Sequence, residues 1–101
     1  FPFNMYVGVL TVKLHISESQ SLKNKRRVVT SVVTRLRNTY NISVSEIDTQ
    51  ELWQLATLGI ACTGSQVSYI NELLHKVVDS ISRNRFGAEV LDCQMEIMSA
   101  F

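Results

Sequence analysis

Cysteine and histidine are scarce in this chain of 101 residues, with two of each. Cys62 and Cys93 lack CxxC spacing and fall in predicted strands, so both read as buried, reduced thiols of a cytoplasmic protein, not as a disulfide or metal pair. His15 and His75 lie far apart in the sequence, which leaves little from which to build a zinc site, and no metal or cofactor is expected. Long apolar runs are missing too. None reaches the roughly 20 residues that a membrane-spanning helix needs, and Lys13 and His15 interrupt the first apolar stretch, where a secretory signal would need continuity. No membrane partner is expected. GxSxG, HExxH and glycine-rich phosphate-loop spacings are all absent, and no nucleophile stands with an acid–base pair, so catalysis is not expected.

What the chain does have is the composition of one small globular domain. Hydrophobic residues make up 46% and charged residues 19%, which excludes a disordered chain. At this length roughly two thirds of the unfolded surface is buried on folding, enough for one core without disulfides or metal. Phe1-Pro2-Phe3-Asn4 precedes Met5, where a strand pattern begins, and reads as a cloning remnant outside the single domain 5–101.

Alternation over Met5–Ile16 gives a half-buried strand, with Leu10, Val12, Leu14 and Ile16 on one side and Val9, Thr11, Lys13 and His15 on the other. Ser21 is a good N-cap for a helix over Leu22–Tyr40, whose apolar stripe runs through Val29, Val32, Val33 and Leu36. Ile42–Ile47 reads as a short strand, Asp48–Gln50 as a turn and Trp53–Thr63 as a longer strand. Gly64 or Ser65 caps a second helix that carries Val67, Ile70, Leu74, Val77 and Ile81 and ends by Gly87. Ala88–Met98 closes the chain as a strand with Leu91, Cys93, Met95 and Ile97 inward.

The order is βαββαβ. Two βαβ units with right-handed crossovers predict an α+β, ferredoxin-like sandwich, a four-stranded antiparallel sheet in spatial order 4-1-3-2 with two helices on one face. The first and third strands are expected to run in the same sense, which would bring both helix N-termini to one rim, with Ser21 and Ser65 as near neighbours. Acylphosphatases share this element order, but the arginine of their first loop has no counterpart between Ser17 and Gln20.

Charge is unevenly placed. Net charge is only +1, yet between Ser19 and Ser45 stand six cations, Lys23, Lys25, Arg26, Arg27, Arg35 and Arg37, and no carboxylate. The remaining four cations and nine acids sum to −5, so the domain is strongly dipolar and suited to polyanions. Four of the six cations occupy the first two helical turns, where each is unfavourable by about 0.3–1 kcal/mol against the helix dipole. A run that breaks a local stability rule points to function. On a helical wheel Lys23, Arg26, Arg27 and Arg37 lie opposite the apolar stripe, while Lys25 points toward it.

The runs MYVGVLTVKLHI, SLKNKRRVV, RLRNTYNISVSEI and LWQLATLGIA resemble the YlxP-like family of small bacterial proteins over nearly the whole chain from Met5. The resemblance implies a ferredoxin-like fold. The family has no defined function, but its genes often lie among those for translation initiation and ribosome maturation, which implies a role near RNA or the ribosome. Where the family commonly has glutamate, this chain has Asn24, so the helix start is more positive and lacks a reciprocal capping box.

The sequence therefore favours a non-catalytic binding protein. The expected anion or nucleic-acid site comprises Lys13, His15, Ser21, Lys23, Lys25, Arg26, Arg27 and Arg37, and the expected ligand is RNA or a ribosomal particle. The alternative is an assembly block that forms homodimers, or takes a protein or small anion, on an open sheet face made partly apolar by Val7, Val9, Leu55 and Ala61.

Overall fold

A computed structural model describes residues 3–83 and 87–101. Its elements are β1 (Tyr6–Ile16), α1 (Leu22–Thr39), β2 (Ser43–Asp48), β3 (Leu55–Gly64), α2 (Val67–Ser82) and β4 (Ala88–Ser99). The four strands form one antiparallel sheet in the order β2-β3-β1-β4. This is the ferredoxin-like α+β fold. The alternation of β1 does what its period requires: Leu10, Val12, Leu14 and Ile16 are buried beneath the helices and meet Val29, Val32, Leu36, Ile70, Leu74, Val77 and Ile81. Gly8 lets α2 approach closely, since a Cβ there would stand 2.3 Å from Ile70 Cγ2.

One expectation about direction is corrected. β1 and β3 are antiparallel, with Tyr6 opposite Gly64 and His15 opposite Leu55. In this strand order each crossover returns its second strand parallel to its first, one position away, so the strand between must run the other way. Ser21 follows the His15 end and Ser65 the Tyr6 end, so the two helix starts lie at opposite rims, about 30 Å apart at 3.3 Å per strand residue. The N-cap of α2 is also Gln66, with no side-chain capping bond, not Gly64 or Ser65.

The edge strand departs from expectation as well. The β1–β4 register shifts between Lys13 and Leu14, which pair with Asp92 and Val90 and leave Leu91 as a bulge, half exposed. Val90, Met95 and Ile97 are half-buried against the core, whereas Cys93 is exposed and only Cys62 is buried. β4 lies beyond β1 at the edge of the sheet, where the two helices cover it incompletely. The first strand–strand connection is longer than a tight turn, since Trp53 lies outside β3 in a six-residue loop, 49–54. Among the described residues no helix is long and apolar enough to cross a membrane. Phe3 packs edge-on against Phe101, with ring centroids 6.0 Å apart.

Candidate functional site

The start of α1 is built as its sequence requires. Ser21 is extended and its Oγ accepts from the Asn24 N–H at 3.1 Å, so this hydroxyl oxygen serves its own helix. Behind it, Ser19 is buried and donates to the Ser21 carbonyl at 3.0 Å. No acid stands in the first turn, so its positive end is relieved by no carboxylate of its own.

The six cations of this segment divide into two kinds. Lys25 leaves the surface altogether, at 0% exposure. Its Nζ donates to Glu46 Oε2 at 3.0 Å and to the carbonyls of Thr49, Gln50 and Leu55 at 2.7, 3.0 and 3.2 Å. A buried ammonium is tolerable only when paired and hydrogen-bonded, and four oxygens around three protons meet that demand. Lys25 is therefore corrected from a ligand contact to a structural tie between α1, β2 and loop 49–54. The sequence carried the signal: Lys25 falls on the apolar side of the helical wheel, and Glu46 shares the inward parity of Val44.

Lys23, Arg26, Arg27, Arg35 and Arg37 all remain exposed. Lys23, Arg26 and Arg27 share the first two turns. Arg27 also lines an open cleft of about 380 Å³ with Ile16, Glu18, Ser19, Asn24, Val28 and Gly87. Arg37 is set apart, since fourteen residues at 1.5 Å each place it about 21 Å along the helix from Lys23. Its Nη2 donates to the Val44 carbonyl at 2.8 Å and braces β2. Between these ends a groove lined by Thr30, Ser31, Thr34, Arg35, Asn38 and Thr39 offers hydroxyl and amide groups.

Lys13 and His15 are not part of this surface. They project from the opposite, uncovered face of the sheet, since their neighbours Val12, Leu14 and Ile16 fill the core side. In register Lys13 stands between Thr57 and Asp92, and His15 between Leu55 and Glu89. With Glu96 beside Val9, the β4 side of that face carries acids. The physical reason for the correction is strand alternation: a residue can lie at the same end of a sheet as a helix start and still face away from it. Among the described residues no cluster of three or more histidine, cysteine or carboxylate side chains could hold a metal ion.

Residues 7–95 match a family model described as "Protein of unknown function (DUF503)". The chain belongs to this family. The uncharacterized protein YlxP of Bacillus subtilis is 35% identical over 72 residues, which span 71% of this chain and 78% of the relative. The family placement agrees with the resemblance carried by the strand, helix and loop segments. Similar solved structures include the de novo designed protein Foldit4, at 11% identity over 96% of this chain and 97% of that one, with a TM-score of 0.47. Another is a C-terminal segment of the alpha subunit of aIF2 from Pyrococcus abyssi, at 10% identity over 94% of this chain and 52% of that one, with a TM-score of 0.49.

Proposed function

We propose that this protein is a non-catalytic binding module whose α1 surface takes phosphate groups, those of RNA or of a ribosomal particle. One observation carries the reading: in a segment of six cations without a carboxylate, Lys25 is buried in an ion pair with Glu46, while Lys23, Arg26, Arg27, Arg35 and Arg37 are exposed on one helix. Such a row holds a polyanion by position and charge and gives affinity with little sequence preference. Affinity capture from a cell lysate tests the ligand class. Ribosomal particles recovered at low salt and lost at high salt support it, and none recovered at low salt contradicts it.

A second reading has its own observation. On the uncovered sheet face Ile47 lies across Gly59, where a Cβ would meet Ile47 Cγ2 at 2.7 Å, and further along that face half-buried Val9 pairs with Ala61, with Val7 beyond it on β1. This gives the face an apolar strip through which two copies could pair. Light scattering at high concentration showing only monomers contradicts it.

A further inference from the structure

Along α1 the exposed residues are sorted by hydrogen-bonding chemistry as well as by charge. Lys23, Arg27, Thr30, Thr34 and Asn38 follow one another at intervals of three or four, so they line one stripe of the helix, and all five are exposed. The N-terminal end of the stripe is cationic. From Thr30 to Asn38 it is uncharged, and there an open groove of about 510 Å³ is lined by Thr30, Ser31, Thr34, Arg35, Asn38 and Thr39. Arg35 in the groove wall and Arg37, tied to the Val44 carbonyl, return positive charge at the far end. Two hydroxyls of the groove have their protons engaged: Ser31 Oγ donates to the Arg27 carbonyl at 3.0 Å and Thr39 Oγ1 to the Arg35 carbonyl at 2.8 Å. What they have left for a ligand is a lone pair, which a phosphate oxygen cannot use and a hydroxyl can. Thr30, Thr34 and Asn38 have no hydrogen-bond partner among the described residues, and each can both donate and accept.

We infer that α1 binds double-stranded RNA across its minor groove, the Thr30–Asn38 stretch meeting ribose 2′-hydroxyls and the cations at either end meeting the flanking phosphates. The inference rests on the phosphate-binding reading above and adds its substrate class. An A-form duplex presents a wide, shallow minor groove lined with 2′-hydroxyls, which short side chains on a helix can reach. DNA offers no such partner. Its minor groove, about 6 Å wide, is too narrow for a helix about 10 Å across, and its major groove, about 8.5 Å deep, suits longer side chains than threonine and serine. A single strand engages the cations, but nothing holds its riboses in one row.

The test compares a labelled RNA duplex of about 16 base pairs with a DNA duplex and an RNA single strand of the same sequence, by anisotropy at one low salt concentration. The RNA duplex should bind tightest, ahead of the DNA duplex by about fivefold, the worth of one or two net hydrogen bonds. Thr30→Val with Thr34→Val removes two hydroxyls at nearly constant shape and helix propensity, and should bring the RNA duplex down to the DNA duplex. Thr30→Ser with Thr34→Ser keeps the hydroxyls and should keep the preference. Equal affinity for the two duplexes, a single strand bound more tightly than the RNA duplex, or a valine variant that retains the preference overturns this inference and leaves the phosphate reading standing. Binding of none of the three overturns both.

Discussion

The Lys25 ammonium donates to the Thr49 carbonyl, its nearest partner, at 2.7 Å, and Thr49 is the one described non-glycine residue with a positive φ, +64°. A left-handed conformation costs an L-residue about 1–2 kcal/mol, and a β-branched one is rarely found there. The conformation turns the Thr49 carbonyl inward, where the buried ammonium needs an oxygen. The hydrogen bond so formed offsets both the strain of the loop and part of the cost of burying the charge.

Removing that ammonium takes one donor away from Glu46 and from three carbonyls. Lys25→Met keeps most of the aliphatic stem but should lower unfolding free energy by about 3–5 kcal/mol, as breaking a buried pair from one side does. Urea unfolding measures this. A loss below about 1 kcal/mol would show that the tie contributes little.

Close approach of α2 depends on Gly8. Gly8→Ala forces Ile70 to move and should cost about 1–3 kcal/mol. In a double-mutant cycle with Ile70→Ala the two losses should fall short of additivity by more than about 0.5 kcal/mol. Strict additivity would contradict the contact.

The two cysteines should react at different rates. Burial pushes the Cys62 thiol up from its ordinary value of 9.0, a hydrogen bond with the Gly8 backbone working the other way, while Cys93 is exposed. A thiol reagent near pH 8 should modify Cys93 at once and Cys62 only as fast as the chain opens. Because the folded value is the higher one, this group's contribution to stability is present in full below pH 9.0 and is lost as the pH rises through the folded value. Two equivalents of rapid reaction in the native protein would contradict the burial of Cys62.

Local pattern made much of this legible. The period of β1, the Ser21 cap and the stripe of α1 each follow from neighbouring residues, and the strand order follows from right-handed crossovers. The direction of β3 relative to β1 belongs to the whole topology, not to any local pattern, and the separation of Ser21 from Ser65 follows from it. The β4 bulge at Leu91 is set by pairing with β1, which no period within β4 shows. At the candidate site, the surface row Lys23, Arg26 and Arg27 followed from the helical wheel. Lys13 and His15 stand near the loop that precedes α1, but strand alternation sends them to the other face. The burial of Lys25 needed Glu46 and loop 49–54 as well, partners 21 to 30 residues away.

The central claim is that the exposed face of α1 holds phosphate. Arg26→Glu with Arg27→Glu tests it most directly, because both side chains are exposed and acids near a helix N-terminus suit its dipole, so the fold is preserved. Binding of a single-stranded oligonucleotide is measured for parent and variant across a salt series. The parent should lose affinity as salt rises with a log–log slope of about −0.7 per phosphate contact, and the variant should bind at least tenfold more weakly with a slope shallower by about 1.4, two contacts fewer. A variant that binds as tightly as the parent at every salt concentration, with the same slope, would contradict the claim.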